Sequence, residues 1–138
     1  MSSDEESMNY VSLDRALHLA ESDAWQEREL AARVLARYSA NQSAFEALIR
    51  MLDDRDTAVI EGSVASLATS GGKPGVAAVL ERLAFADDNA GYHIRDKLVA
   101  LWLDGVPILD LCREIVSSEP ENSLSIAARE VIEDLTPD

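Results

Sequence analysis

The clearest copy of a pattern that recurs along the chain is Ile94-Arg95-Asp96-Lys97-Leu98-Val99-Ala100-Leu101. Ile94, Leu98 and Leu101 are four and then three positions apart, so they lie on one face of an α-helix. The same spacing occurs three more times, with starting positions 33, 34 and 30 residues apart at Glu27, Ile60, Ile94 and Leu124. Offsets of four, seven and eight from these starts hold Ala31, Val64, Leu98 and Ala128; Val34, Leu67, Leu101 and Val131; and Leu35, Ala68, Trp102 and Ile132. This pattern indicates a helical repeat.

The segments between these copies repeat as well. Phe45, Val76 and Ile108 align, and apolar residues follow each of them at offsets of three, four and seven. The connections are about two to six residues long, which makes consecutive helices antiparallel neighbours. The sequence therefore predicts an all-α fold, an α-solenoid of antiparallel helical hairpins with about eight helices in roughly four repeats. The predicted helices are Tyr10–Ala20, Ala24–Ser39, Gln42–Leu52, Thr57–Thr69, Gly75–Ala86, Tyr92–Leu103, Pro107–Ser117 and Ser123–Leu135.

The repeated first-helix pattern resembles HEAT repeats. Its clearest copies are the stretch from Ile94 to Leu101 and Arg28-Glu29-Leu30-Ala31-Ala32-Arg33-Val34-Leu35, and the similarity spans residues 24–135. One hairpin cannot bury its apolar face alone, and stacked neighbours build a continuous core. The resemblance implies a non-enzymatic protein–protein interaction module, acting as an adaptor, scaffold or inhibitor.

Helix ends and domain limits follow from polar and glycine-proline segments. Residues 1–9 predict a disordered acidic tail, and residues 10–138 a single HEAT-like repeat domain. Two segments, Ser70–Pro74 and Asp104–Pro107, offer a glycine stop and a proline start. Ser123–Leu135 is predicted to be a first helix without its second, which makes that end a candidate contact for dimerisation. The protein is expected to be a monomer or a weak homodimer. The candidate N-caps are Ser22 or Asp23, Asn41, Asp56, Asn89 and Asn122.

The charge excludes several classes of partner. Twenty-six acidic and twelve basic residues give a formal net charge of −14. Binding to nucleic acid or to an anionic membrane relies on clustered Lys and Arg, so neither is expected. No stretch approaches the ~20 apolar residues of a membrane span, and a cytoplasmic location is predicted. A basic protein partner fits the charge, although solubility alone could also explain it.

No catalytic, cofactor or metal site is predicted. Cys112, the only cysteine, lies in an apolar helical run, so a buried thiol is expected. The only histidines, His18 and His93, lack a second ligand at metal spacing. An alternative function is a HEAT-like enzyme or enzyme subunit of the bilin-lyase type. Related HEAT-like enzymes carry His-Glu pairs, whereas Leu19 and Ile94 follow the two histidines here.

Two surfaces are candidates for partner binding. Turns between repeats carry acidic residues, Asp53 and Asp54 in one and Asp87 and Asp88 in another, which stacking would align into a ridge facing a basic partner. Alternatively, they are solvated turn residues that cap helices. The second candidate is the exposed column of the second helices. Its predicted partner-binding members are Arg50, Glu81, Arg82, Arg113 and Glu114.

The charges of that column have two interpretations. Arg is a favoured interface anchor, so the alternating signs predict a recognition surface. They are equally consistent with salt bridges between adjacent repeats. Trp102 is predicted to be core, whereas Trp25 and Tyr92 are either packed or exposed anchors. A specific form of the interaction hypothesis is an immunity or antitoxin protein that neutralises a basic toxin such as a nuclease.

Overall fold

The described part of the chain is helical throughout. A computed structural model describes residues 11–118 and 120–137, and these form eight α-helices and one short 3₁₀ helix, Ala36–Tyr38, without a strand. The predicted acidic tail at residues 1–9 lies outside the described residues. The α-helices are α1 Leu13–Leu19, α2 Trp25–Leu35, α3 Gln42–Met51, α4 Thr57–Ser70, α5 Gly72–Ala84, α6 Asp88–Leu103, α7 Ile108–Ser118 and α8 Ser123–Leu135.

All eight predicted helices are confirmed, but two of them begin earlier than expected. Helix α5 begins at Gly72, whose φ of 59° is readily adopted only by glycine. The end of α4 at Ser70 and the start of α5 are therefore separated by a single residue. Helix α6 begins at Asp88 because the side chain of Asp87 accepts a hydrogen bond from the Ala90 amide at 2.8 Å. The predicted cap at Asn89 was therefore wrong.

Three of the remaining caps are confirmed, and each satisfies an otherwise unpaired amide at a helix N-terminus. Asn41, Asp56 and Asn122 accept hydrogen bonds from backbone amides at the starts of α3, α4 and α8. The first helix of the next repeat unit, α2, follows Ala24 and has no side-chain cap. The prediction of Ser22 or Asp23 at that position was wrong.

The repeated face forms the core. Every residue at offsets four and seven of the first-helix pattern is buried, from Ala31 and Val34 in α2 to Ala128 and Val131 in α8. Trp102, predicted to be core, is half-buried and packs against the core cluster. Along the second helices the pattern weakens at α3, where Ile49 is 38% exposed. The predicted apolar face is thus confirmed in the first helices and interrupted at one position in the second ones.

Helices α2, α4 and α6 pack side by side in a row of first helices. Small residues allow α2 and α4 to approach closely. A Cβ added at Gly62 would lie 3.7 Å from the Cβ of Ala32, and the Ser66 hydroxyl donates to the Ala32 carbonyl at 2.7 Å. The next pair, α4 and α6, is linked by Glu61 and His93 Nδ1 at 3.0 Å.

The C-terminal helix departs from this row. Helix α8 packs mainly on α7 and α5, and less extensively on α6. It was expected to follow α6 as the next first helix, as α4 follows α2. Instead it covers the second helices, so the side of α6 that faces away from α4 is only partly covered.

Candidate protein-binding cleft

A cleft opens where α8 leaves the row of first helices. It has a volume of about 680 Å³ and is bounded by α6, by the end of α5 and by α8. This volume lies within the range of ~300–1,000 Å³ that is common for ligand sites. The cleft is open to solvent, so it suits a protruding segment of a macromolecule better than an enclosed small ligand.

The walls of the cleft are acidic. Five carboxylates line it with a single guanidinium, that of Arg95. The Nε and Nη2 atoms of Arg95 donate to the two oxygens of Asp134 at 2.7 and 2.6 Å. Among the described residues, no ion pair occupies the other four carboxylates. The five acidic residues are Asp87, Asp88, Asp96, Glu130 and Asp134.

Arg95 is held firmly in its charged state. Its side-chain hydrogen bonds with Asp134 raise the pKa of Arg95 above the ordinary value, and this outweighs the lowering effect of partial burial. The negative charges of Asp134 and Glu130 raise the pKa further. Because this one cation already serves Asp134, the cleft as a whole keeps a negative potential suited to a cationic group.

The floor and rim of the cleft are apolar and aromatic. Leu83 is buried, and Ala86 and Val99 are half-buried. Tyr92 lines the cleft, is 65% exposed and contacts the His93 ring edge-on with the ring centroids 5.4 Å apart. Phe85, which directly follows α5, is 76% exposed but does not line the cleft. Exposed aromatic side chains beside charged groups are typical of the anchor residues of protein interfaces.

The structure separates the two acidic turns. Asp87 and Asp88 lie in the cleft. In the other turn, Asp53 is largely exposed and accepts a hydrogen bond from Arg82 Nη2 at 2.8 Å. The side chain of Asp54 is only 10% exposed and pairs with Arg28. The carboxylates of Asp53 and Asp54 are therefore paired with arginines of the protein. Asp87 and Asp88 have no such ion pair among the described residues and line an open cleft, although Asp87 also caps α6.

Arg28 and Asp54 form a buried pair that joins two turns. Arg28 donates through Nε and Nη2 to the Asp54 carboxylate at 2.9 and 3.0 Å, and through Nη1 to the carbonyls of Ser22 and Asp23. Burial tends to raise the pKa of Asp54, but the hydrogen bonds from Arg28 and from the Asp56 amide outweigh it. The pKa of Asp54 therefore lies below its ordinary value, and this carboxylate stabilises the fold.

The predicted column of second-helix charges is divided between the two interpretations. Arg82 pairs with Asp53, and Glu114 lies 3.5 Å from Lys73 Nζ, so both belong to intramolecular pairs. Arg50, Glu81 and Arg113 are exposed, and the structure gives their side chains no ion pair with another described residue. None of these three residues lines the cleft beside α6.

Four charged residues of the cleft were not predicted from the sequence. Arg95, Asp96, Glu130 and Asp134 lie on first helices, whereas the predicted partner-binding residues lie on second helices and in turns. A signal was present in the alignment, since α8 carries Ile126 and Glu130 where α4 carries Gly62 and Ser66. Bulk and charge at these positions are poorly suited to the close packing that joins α2 to α4.

The remaining candidate groups are accounted for individually. Cys112 is buried, as predicted, and burial raises the pKa of its thiol to about 12, so it stays protonated. Among residues 11–118 and 120–137, no group of three or more His, Cys, Asp or Glu side chains is arranged to hold a metal ion. Nor does any helix in these ranges have the length and apolar character needed to cross a membrane. Trp25 is 42% exposed at the start of α2.

Comparison with known proteins identifies one family. A family model described as HEAT repeats matches residues 13–98, which extend from the start of α1 into α6. The search of curated proteins and the search of solved structures give no match. The matched segment ends within α6, the last helix of the regular row.

Proposed function

The chain belongs to the HEAT-repeat family, and we propose that it is a non-enzymatic interaction module that binds a basic protein partner through the cleft beside α6. Members of this family generally mediate protein–protein interactions and are typically non-catalytic scaffolds. One observation carries the proposal: an open cleft with five carboxylates, one already paired cation and an exposed tyrosine at its rim.

Electrostatics support a basic partner in two ways. At long range, the formal charge of −14 attracts a cationic protein and accelerates encounter, an effect that salt screens. At short range, Asp87, Asp88 and Glu130 can accept charge-assisted hydrogen bonds from Lys or Arg side chains. Tyr92 offers a ring face for stacking by a guanidinium, and its exposure leaves it accessible for this contact.

The proposal covers an adaptor, a scaffold and an inhibitor. The inhibitor form includes an immunity or antitoxin protein whose acidic cleft blocks a basic toxin, for instance a nuclease. In each form the expected state of the free protein is a monomer or a weak homodimer, and the expected location is the cytoplasm. The charges at Arg50, Glu81 and Arg113 are a secondary contact surface in this proposal.

The test is a pull-down from host lysate with three baits, eluted by a salt ramp and analysed by mass spectrometry. The baits are the wild type, a cleft variant (Asp88→Asn, Asp96→Asn, Glu130→Gln) and a control variant (Asp14→Asn, Glu46→Gln, Asp110→Asn). Both variants remove three exposed carboxylates. Asp14 and Asp110 are matched to Asp88 because all three lie in the first turn of a helix.

A basic protein retained by the wild type and the control, but not by the cleft variant, supports the proposal. Its release by moderate salt is expected because exposed ion pairs are screened. Equal retention by all three baits contradicts the assignment of the cleft. Absence of any enriched protein on folded wild-type bait, with circular dichroism as the check of folding, contradicts the interaction function itself.

A further inference from the structure

We propose that the partner supplies a basic amphipathic helix, which lies in the cleft as the next helix of the row. This inference rests on the proposed function and specifies the structural class of its partner. Helix α4 covers one side of α2, and α6 covers the corresponding side of α4. Because α8 packs mainly on α5 and α7, the corresponding side of α6 is the first in the series that no full helix of the described residues covers.

The uncovered side of α6 carries a continuous stripe of residues. Asp88, Tyr92, Arg95, Val99 and Leu103 are spaced three or four positions apart, so they share one helix face. The first four line the cleft, and Leu103, at the end of α6, is 73% exposed. Four turns of helix present this stripe over a length of ~22 Å. A partner helix of similar length can contact all of it.

The stripe has a polar end and an apolar end. Asp88 lies at the N-terminal end, next to Asp87, whereas Val99 and Leu103 lie toward the C-terminal end. The matching partner helix carries Lys or Arg side chains where it passes Asp87 and Asp88. It carries aliphatic side chains, spaced four apart, where it passes Val99 and Leu103. This pattern is that of an amphipathic helix binding in a groove.

The negative charge of the chain makes a second copy of it an unfavourable occupant of the cleft. The chain has only twelve basic residues against twenty-six acidic ones, so two copies repel each other at the acidic cleft. A cationic helix from another protein meets no such repulsion. The Arg95–Asp134 pair stays in place in this arrangement, since the other carboxylates provide the sites for the incoming cations.

The test measures binding of two fluorescein-labelled peptides to the full chain by fluorescence anisotropy at low salt. One is a 16-residue peptide of Ala, Leu, Lys and Arg, patterned as described above. The other has the same sequence with two central solvent-facing alanines replaced by prolines, which break the helix. Each is titrated against the wild type, the cleft variant, Leu103→Ser and Ile49→Ser. Ile49 is the matched control because it is an exposed aliphatic residue, 38% accessible, that lies on α3 and does not line the cleft.

We expect the helical peptide to bind about tenfold more tightly than the proline peptide. Only a continuous helix holds the basic side chains and the aliphatic side chains in register with the two ends of the stripe at the same time. Loss of the cleft carboxylates weakens it by about tenfold, and Leu103→Ser by about fivefold. Ile49→Ser leaves binding unchanged.

The outcomes separate this inference from the proposed function. Equal affinity for both peptides, lost in the cleft variant, overturns the helical partner but leaves a basic partner in the cleft. Unchanged binding to the cleft variant overturns both. Failure of both peptides to bind at low salt overturns the helical inference, while the pull-down still decides the proposed function.

Discussion

Two junctions between first helices occupy equivalent places in the repeat and have opposite characters. Between α2 and α4, Gly62 faces Ala32, Ser66 hydrogen-bonds across the interface, and the buried Arg28–Asp54 pair ties the adjoining turns. Between α6 and α8 there is an open acidic cleft crossed by the Arg95–Asp134 pair. A repeated helix face therefore becomes either buried core or an open surface, depending on whether the next helix can approach it.

Each junction contains a bidentate arginine–aspartate pair, but the two pairs differ in burial. The side chains of Arg28 and Asp54 are 5% and 10% exposed, whereas those of Arg95 and Asp134 are 42% and 24% exposed. Removing one partner of a buried pair strands a charge away from water, while an exposed charge is hydrated again. The first pair is therefore expected to control stability, and the second to control the charge of the cleft.

The largest effect is expected when the buried pair is broken. Asp54→Ala leaves the Arg28 guanidinium buried without its carboxylate, and we expect a loss of about 3–5 kcal/mol in the free energy of unfolding. The matched substitution in the exposed pair, Asp134→Ala, should cost less than about 1 kcal/mol. Urea denaturation followed by circular dichroism measures both. Similar costs for the two variants would show that the two junctions do not differ as described.

The second prediction concerns the close approach of α2 and α4. Gly62→Leu places a large side chain against Ala32 and should destabilise the protein by about 1–3 kcal/mol. Gly62→Ala should instead be neutral or stabilising by up to about 1 kcal/mol, because its Cβ would make an ordinary contact at 3.7 Å. Thermal or urea unfolding distinguishes them. Equal tolerance of both residues would mean that this junction is not tightly packed.

A smaller effect is expected from pH. The folded-state pKa of Asp54 is below its ordinary value, so its contribution to stability is fully present above the unfolded-state pKa of about 4. It is lost as the pH falls through the folded-state pKa. Urea midpoints between neutral and acidic pH should therefore fall more steeply for the wild type than for Asp54→Asn, which does not titrate. Parallel slopes would contradict the assignment of the lowered pKa to this pair.

Periodicity predicted most of the fold but not the open junction. The offsets of four and seven mark buried faces in α2, α4, α6 and α8 alike, because burial against the hairpin's own core depends on local spacing. The position of α8 depends on which of two surfaces, α6 or α5, it fits better. Tertiary contacts decide between these two surfaces. A repeat pattern does not contain that information, because all its copies look equivalent.

The sequence predicted only part of the candidate site, because the rest depends on the position of α8. Asp87 and Asp88 were identified from their turn, because acidic turn residues are visible in the sequence. Their partners across the cleft, Glu130 and Asp134, come from a helix 30 or more residues away and face α6 only because of how α8 packs. Likewise, Asp54 and Asp88 look alike in sequence, and only burial beside Arg28 distinguishes them.

The smallest expected effect concerns the affinity of the cleft for a basic ligand. Arg95→Gln removes the only cation of the cleft and leaves Asp134 without its partner, so the cleft becomes more negative. Because this pair is half-exposed, stability should change by less than about 1 kcal/mol. A basic ligand should instead bind about two- to fivefold more tightly at low salt, and the gain should disappear at high salt. Anisotropy with the helical basic peptide measures the gain, and urea denaturation measures the stability. Weaker binding by a variant of unchanged stability would contradict the role given to Arg95 here, since it would mean that the guanidinium stabilises the complex instead of opposing the binding of a cation.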